Sequence, residues 1–339
     1  MTIQTNTRAI LCDPERIQAR NIHVARLQAL FAGEQPRGVF RLFGVRGVGR
    51  CDPYTEPERW IAEALDDLAT KAGALRDEAV FRPLVVEFGP YGVHFIDKIL
   101  GAEVFDLDGT GNWQVHLLDT PIGALALPDL DRDPTWQLAR RAAEAFLAAG
   151  VTVPLFGLPV IASALNIAVN LYGQAILVAL ATAPKAAQRD LEVINTLLCT
   201  LHRWYRDHIP AAQLQPVVAD QRTQPPGFGQ LCGCTTHLIS GRMYREHIAA
   251  LDEALLAVYP HGGMIHLCGT HAQHIPVWRA LPALRAVQLN DRAAEDLPRY
   301  FNGLRDDQIL YVNPCEQMPA ERILDITGGR RLVLVTPSI

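Results

Sequence analysis

Short apolar runs recur along the chain and are separated by segments with the hydrophobic spacing of helices. Each run is nearly continuous in hydrophobic residues, whereas the segments between them place apolar side chains three or four positions apart. Near-continuous strands alternating with helices are typical of a parallel sheet that is covered by helices on both faces. Eight runs qualify as strands, and they start at Val39, Leu84, Val151, Gly227, Met264, Leu284, Ile309 and Leu332.

Eight strands that alternate with helices predict an α/β fold, a (β/α)8 TIM barrel formed by a single domain over residues 1–339. The first strand is preceded by a helical extension over residues 1–38. In that extension Asp13 is a good N-cap and Pro14 fits the first turn, so a helix should run from there to about Gly33. The segment Ala102–Ala126 interrupts the pattern and predicts a hairpin with a turn at Asp108-Gly109.

Polar and sulfur-containing side chains collect where the predicted strands end, while the strand bodies stay apolar. In a barrel of this kind the chemistry lies at the carboxyl ends of the strands. The sequence therefore predicts a functional site at that end of the barrel. The residues at these positions are Glu87, Cys232, His266, Cys268, Asn290, Asp291 and Cys315.

Composition and charge exclude several classes of protein. Apolar residues make up 49% and charged residues 20% of the chain, its net charge is −5, and it has no dense Lys/Arg stripe, so no nucleic-acid partner is expected. The most apolar stretch, Ile161–Ala183, is interrupted by polar residues and predicts buried helix and loop, not a membrane span. The polar segment Met1–Asp13 lacks a signal-peptide core, and seven scattered cysteines fit a reducing compartment. We expect a cytoplasmic protein.

The pattern His266-Leu267-Cys268 ends one of the predicted strands. Residues two apart on a strand point to the same face, so the imidazole and the thiol should project side by side. With Cys315 they would form a triad for Zn²⁺ that leaves one coordination position open, as catalytic zinc sites do. Two thiolates cancel the charge of the dication, which favours binding an incoming thiol over generating hydroxide. The alternative is two inert buried cysteines and a hydrogen-bonded histidine.

The pair Cys232-Gly233-Cys234 ends the preceding predicted strand, which should bring it close to His266. Either thiol could be a further metal ligand or a resolving partner, and the alternative is a loop in which cysteine only fills space. Among oxygen donors, Asp291 could complete the metal site or simply cap a helix.

Glu87 ends an otherwise apolar strand, and its pKa should therefore be raised. It could be a catalytic acid or base, a distal ligand, or a carboxylate bonded to loop amides. Arg46 and Arg50, in the glycine-rich loop after the first strand, could bind a carboxylate or phosphate group of a cofactor or substrate; a solvated loop is the alternative.

The run Gly-Gly-Met-Ile-His266-Leu-Cys268-Gly269, preceded by Ser240-Gly-Arg-Met-Tyr244-Arg-Glu-His, resembles the uroporphyrinogen decarboxylase superfamily. The resemblance implies a (β/α)8 barrel with one of two activities. The first is zinc-dependent methyl transfer from a methylated corrinoid, carried by a partner protein, to a small thiol such as coenzyme M. In that branch the zinc ligands are His-x-Cys and a distant Cys, which map onto His266, Cys268 and Cys315.

The second activity is cofactor-free decarboxylation of a tetrapyrrole or another polycarboxylate. That branch is marked by an Arg-Gln-Ala-Gly-Arg segment near the N-terminus. Here Arg46-Gly47-Val48-Gly49-Arg50 stands at a comparable place without the Gln and the Ala. The sequence therefore favours the methyltransferase branch, with Glu87 and Asp291 tuning the site. The decarboxylase, with Arg46 and Arg50 as carboxylate clamps, is the alternative. A homodimer is compatible with either.

Overall fold

The structure is a computed structural model that describes residues 3–34, 38–160 and 162–337. Most of its strands are parallel and most of its connections are helical. The strands are β1 (Phe40–Leu42), β2 (Val45–Gly47), β3 (Leu84–Glu87), β4 (Val104–Asp106), β5 (Trp113–Val115), β6 (Leu155–Gly157), β7 (Leu214–Gln215), β8 (Gly229–Cys232), β9 (Gly263–Cys268), β10 (Leu284–Asn290), β11 (Ile309–Val312) and β12 (Leu332–Val335).

The helices begin before the first strand and then fill the connections. The α-helices are α1 (Thr5–Leu11), α2 (Pro14–Phe31), α3 (Pro57–Lys71), α4 (Phe95–Ile99), α5 (Pro134–Ala148), α6 (Ala164–Tyr172), α7 (Gln174–Thr182), α8 (Pro184–His208), α9 (Ala219–Arg222), α10 (Gly241–Met243), α11 (Ala249–Leu256), α12 (Ile275–Trp278), α13 (Arg292–Glu295), α14 (Leu297–Gly303) and α15 (Ala320–Thr327). Short 3₁₀ turns cover Ala72–Arg76, Gly92–His94, Cys234–Leu238 and Ala272–His274, and Tyr244–Ile248 is a π-helical turn.

Two parallel sheets form the frame of the molecule. One has the strand order β1-β12-β11-β10-β9-β8 and the other the order β2-β3-β6-β7, while β4 and β5 pair as an antiparallel hairpin. Only Phe43-Gly44 separates β1 from β2, so the two sheets adjoin there. Within the described ranges β7 and β8 are not paired. The parallel α/β architecture is confirmed, and closure into a barrel stays a prediction.

Seven of the eight predicted apolar runs contain most or all of a strand, whereas the predicted run Val151–Leu155 overlaps its strand only at Leu155. The reason lies in α1: the amides of Thr152 and Val153 donate to the carbonyl of Leu11, so this part of the run pairs with a helix end and not with a sheet. The predicted hairpin is β4 and β5, and both predicted features of the N-terminal helix are present, since Asp13 accepts from the amide of Glu15 at 2.9 Å at the start of α2.

The strands are buried on both faces, as near-continuous apolar runs require. In β9 the side chain of Met264 joins a small apolar cluster with residues of β1, β10, β11 and β12, whereas Ile265 and Leu267 join the large cluster that includes the helices. Met264, His266 and Cys268 therefore share the face that is turned towards the small cluster. This alternation aims the imidazole and the thiol of the motif away from the large cluster.

The apolar stretch after residue 161 forms α6 and α7, with several side chains of both helices in the core. This agrees with the prediction of buried helix and loop. No single helix in the described ranges is long and apolar enough to cross a bilayer. One pair, α6 with α7, meets the length and composition requirement jointly, but its two halves are bent by 110°.

Candidate functional site

The centre of the site is the imidazole of His266 on β9. Its Nε2 lies 3.0 Å from Sγ of Cys268 on the same strand face. The neighbouring strand β8 places Cys232 directly opposite His266 in the parallel register. Both predicted neighbours of His266, one on its own strand and one on the strand before it, are thus brought to it.

Cys234 joins the cluster from the 3₁₀ turn that follows β8. Its Sγ lies 3.3 Å from Sγ of Cys232, and it also bonds to Cys268. The hydrogen bonds with Cys234 lower the pKa of Cys232 and that of Cys268, and the same two bonds raise the pKa of Cys234. We call Cys232, Cys234, His266 and Cys268 the sulfur cluster.

Cys232, Cys234 and His266 form a group that could hold a metal ion. Within the described ranges, their ligand atoms all lie within 4.8 Å of one another. Two thiols and one imidazole are the donors that Zn²⁺ takes in proteins, and the spacing is short enough for one small cation. The donor set therefore fits a soft divalent metal, and the thiol of Cys268 offers a further sulfur beside it.

A chain of carboxamides fixes the orientation of His266. Oε1 of Gln288 lies 2.8 Å from Nδ1 of His266, and Nε2 of Gln288 donates to Oδ1 of Asn313 at 2.9 Å. Asn313 in turn donates to Oε1 of Gln221 at 2.9 Å. Because each amide donates away from the ring, the oxygen of Gln288 must face His266 and accept from Nδ1–H. The lone pair of Nε2 then points at the sulfurs, as metal-binding histidines require.

Cys315, the third member of the predicted metal triad, is not part of this group. It lies after β11 in a turn where its backbone pairs with Met318, and within the described ranges no hydrogen bond joins its thiol to the sulfur cluster. The strand order explains the difference: β8 is the direct neighbour of β9, whereas β11 is separated from β9 by β10. Neighbouring strands lie about 4.8 Å apart, so Cys232 starts closer to His266 than Cys315 does.

Asp291 follows β10 at the same end of the sheet but stands outside the sulfur cluster. It is exposed, and its carboxylate accepts from the side-chain amide of Asn290 at 3.2 Å. It precedes α13, and its side chain does not cap that helix. Its φ of +48° lies in the region that glycine favours. The N-cap alternative is therefore wrong, and a role for Asp291 in the chemistry stays a prediction.

A second cluster of charged groups lies at the carboxyl ends of β2 and β3. Nη2 of Arg46 donates to Oδ1 of Asp220 at 2.8 Å, and Nε of Arg46 is 3.4 Å from Oε2 of Glu87. The other oxygen of Glu87 accepts from the amide of Ala219. We call Arg46, Glu87 and Asp220 the acid cluster. Burial raises the pKa of Glu87 to about 7, although Arg46 opposes the shift, so Glu87 exchanges its proton near neutral pH as the sequence led us to expect.

The acid cluster borders a cavity of about 300 Å³. Arg46 and Glu87 give it a polar side, and Tyr54, Trp60 and Phe88 give it an aromatic wall. Gly157 on β6 stands opposite Glu87, and a Cβ there would meet Cγ of Glu87 at 2.7 Å. Glycine at this position leaves room for the carboxylate.

Arg50 lies elsewhere. It is exposed and lines a separate cavity of about 480 Å³ with residues of α1 and α3. Arg46 and Arg50 therefore do not face one shared cavity, and the structure does not bring together the double carboxylate clamp that the decarboxylase alternative needs.

Sequence reasoning missed Gln288, Asn313, Gln221 and Arg222. Gln288 could have been found, because a carboxamide flanked by apolar residues inside the strand Leu284–Asn290 must be bonded if it is buried. Gln221 and Arg222 lie in α9, a helix of four residues between β7 and β8. No hydrophobic period marks so short an element.

Comparison with known proteins gives a fold but no family. No family model matches the chain, and no curated protein matches it. A solved structure of a methyltransferase from Methanosarcina mazei is similar, with a TM-score of 0.62 and 13% sequence identity over 92% of each chain. At this identity the similarity shows that the two proteins share a fold over nearly their whole lengths.

Proposed function

We propose that this protein is a metal-dependent methyltransferase that transfers a methyl group to a small thiol, on a barrel of the uroporphyrinogen decarboxylase type. The observation that carries the proposal is the convergence of Cys232, Cys234 and His266 at the carboxyl ends of two neighbouring parallel strands. A fold similar to that of a methyltransferase supports it.

The metal would be Zn²⁺, held by Cys232, Cys234 and His266. When bound, it lowers the pKa of an incoming thiol and keeps the sulfur nucleophilic. Gln288 holds the imidazole in the tautomer that leaves Nε2 free, and the thiol of Cys268, 3.0 Å from that nitrogen, is placed to compete with the substrate for the remaining position.

The cavity beside the acid cluster would receive the body of a substrate. Its aromatic wall offers an apolar surface to a substrate, and Glu87, with a pKa near 7, can accept the proton that a thiol releases on binding. Arg46, fixed by Asp220, keeps the carboxylate of Glu87 in one orientation.

The methyl donor would be a methylated corrinoid on a partner protein. The thiol sulfur forms a bond to the methyl carbon while the bond between that carbon and its donor breaks, and the donor retains the bonding electron pair. The product is a methyl thioether, and no external oxidant or reductant is consumed.

The test is a methyl-transfer assay with the full chain loaded with Zn²⁺, methylcobalamin as donor and coenzyme M as the first acceptor, with other small thiols to follow. Thioether formation is measured by mass spectrometry. We expect turnover that disappears in the chelator-treated protein and in His266→Ala. Undiminished transfer by the metal-free protein would contradict the proposal, and so would the absence of transfer to any thiol tried with the zinc-loaded protein.

A further inference from the structure

Arg222 is a buried cation that the site described so far does not explain. It is 6% exposed, and its Nε and Nη1 are buried without a hydrogen-bond partner. A buried charge that is neither paired nor hydrogen-bonded destabilises a protein by several kcal/mol in general. Such a group is retained only where something compensates its charge.

The groups that face Arg222 are the thiols of the sulfur cluster and Glu87. Burial lowers the pKa of Arg222, and Cys232, Cys234, Cys268 and Glu87, in that order, act against the shift. The same guanidinium contributes to the lowered pKa of Cys232 and opposes the rise in the pKa of Glu87 that burial causes. Arg222 is thus the cation shared by the sulfur cluster and the acid cluster.

The segment that carries Arg222 is held on both sides. Asp220 binds Arg46, and its carbonyl accepts from the amide of Gly44 at 2.7 Å. Gln221 accepts from Asn313, and the carbonyl of Thr223 accepts from the hydroxyl of Tyr311 at 2.8 Å. The backbone that carries Arg222 is therefore held in place on both sides, and burial confines its guanidinium among the groups that face it.

We propose that Arg222 is a positioning residue that supplies the counter-charge for a thiolate-rich metal site formed by the sulfur cluster. This inference rests on the proposed metal site and goes beyond it. A divalent cation with the three thiolates of Cys232, Cys234 and Cys268 has a net charge of −1, as it also has with two of them and the thiolate of a substrate. The guanidinium brings the net charge of either state to zero, and a buried site requires such neutralisation.

The chain offers two matched controls. Arg20 is also a buried arginine, but its guanidinium donates to the carbonyls of Thr152 and Val153, which precede β6 and are not part of the sulfur cluster. Gln230 lies two residues before Cys232 on β8, is buried and has both amide atoms without partners, and it carries no charge. Arg20→Gln reports the loss of any buried arginine, and Gln230→Leu the loss of an unpaired polar group near the thiols.

The experiment is a titration of the reduced, metal-free full chain with Zn²⁺ and with Co²⁺, in the wild type and in Arg222→Gln, Arg222→Lys and the two controls. We expect Arg222→Gln to weaken Zn²⁺ binding by about 10- to 100-fold, the range for partners just outside a metal's ligands. The sulfur-to-metal charge-transfer band per bound Co²⁺ should weaken as well. Arg222→Lys should keep most of the affinity, and both controls should bind as the wild type does.

Stability separates this role from a structural one. The metal-free Arg222→Gln protein should be at least as stable as the wild type, because an uncompensated cation is gone, whereas Arg20→Gln should be less stable. If the wild type binds Zn²⁺ and Arg222→Gln binds it equally tightly with the same Co²⁺ spectrum, the inference is wrong and the metal site stands. If the wild type binds no metal, the proposed function and this inference both fall.

Discussion

The sulfur cluster and the acid cluster occupy equivalent places and differ in completeness. Both lie at the carboxyl ends of parallel strands, one in the six-stranded sheet and the other in the four-stranded sheet. In the acid cluster Arg46 already pairs with two carboxylates. In the sulfur cluster the thiols and His266 bond chiefly to one another, and the buried guanidinium of Arg222, whose Nε and Nη1 have no hydrogen-bond partner, faces the thiols. Equal placement thus does not mean equal function. The carboxylates of the acid cluster are already paired with Arg46, whereas the sulfur cluster is suited to receive a cation.

Removing two sulfurs should have the largest effect. Cys232→Ser with Cys234→Ser should weaken Zn²⁺ binding on the order of a thousandfold or more, because a full set of ligands contributes about 10–16 kcal/mol and two of them are lost. Competition with a chromogenic chelator measures this affinity. Cys12→Ser with Cys51→Ser, which changes two cysteines outside the cluster, is the matched control. Retention of tight binding in the first variant, together with its loss in Cys315→Ser, would place the metal on the predicted triad instead.

Glu87, in the acid cluster, should make the free energy of unfolding of the protein fall as the pH rises. Its pKa is raised from 4.5 to about 7 by burial, so the folded protein binds this proton more tightly than the unfolded chain. The stabilisation is complete below about pH 4.5 and is lost as the pH rises through 7, by at most on the order of 3 kcal/mol. Glu87→Gln should remove that fall in denaturant unfolding measured across this pH range.

The control for this pH dependence is Glu58→Gln. Arg141 lowers the pKa of Glu58, so its contribution has the opposite sign and is lost as the pH falls. This variant should keep the decline of the wild type around neutral pH. An identical decline in wild type and Glu87→Gln would show that Glu87 is not the titrating group.

Replacing Gln288 should weaken metal binding at the sulfur cluster and leave the acid cluster unchanged. Gln288→Leu deprives Nδ1–H of His266 of its acceptor, and the loss of such a partner typically costs 10- to 100-fold in metal affinity. Gln213→Leu removes another buried carboxamide, one that donates to the carbonyls of Val151 and Pro154. The control should lose stability and keep its zinc affinity. Equal affinities in Gln288→Leu and wild type would mean that the imidazole needs no orientation.

Substitutions of Asp291 should have the smallest effect, a small change in the free energy of unfolding. Asp291→Gly relieves a φ of +48°, and we expect a gain of about 1 kcal/mol in the free energy of unfolding with unchanged zinc affinity. Asp291→Ala removes the same carboxylate without relieving the backbone and should show no gain. A loss of zinc affinity in both variants would instead make Asp291 a ligand.

Much of the fold could be predicted from the sequence, because strands that are buried on both faces leave a near-continuous apolar pattern. β2 and β7 were missed, since β2 contains only one apolar residue, Val45, beside Arg46 and Gly47, and β7 has only two residues. A barrel requires β7 to pair with β8, and the segment between these two strands has no regular hydrophobic pattern, so the sequence does not predict that pairing.

The candidate site likewise has residues whose position the strand pattern predicts and residues whose position it does not predict. The proximity of His266 and Cys268 follows from the two-residue period of one strand, and that of Cys232 from two neighbouring strands. Cys315 was assigned from its place at a predicted strand end and from the resemblance, and its distance from His266 depends on β10 lying between β9 and β11. Arg222 could not be predicted at all, because its position is set by hydrogen bonds from α9 to distant strands.

X-ray absorption at the zinc edge of the loaded protein tests the central claim most directly, namely that Cys232, Cys234 and His266 hold the metal. We predict a shell of sulfur at about 2.3 Å together with imidazole nitrogen, and fewer sulfurs in Cys232→Ser with Cys234→Ser. A shell without sulfur in the wild type, or an unchanged sulfur shell in that double variant, would contradict the account.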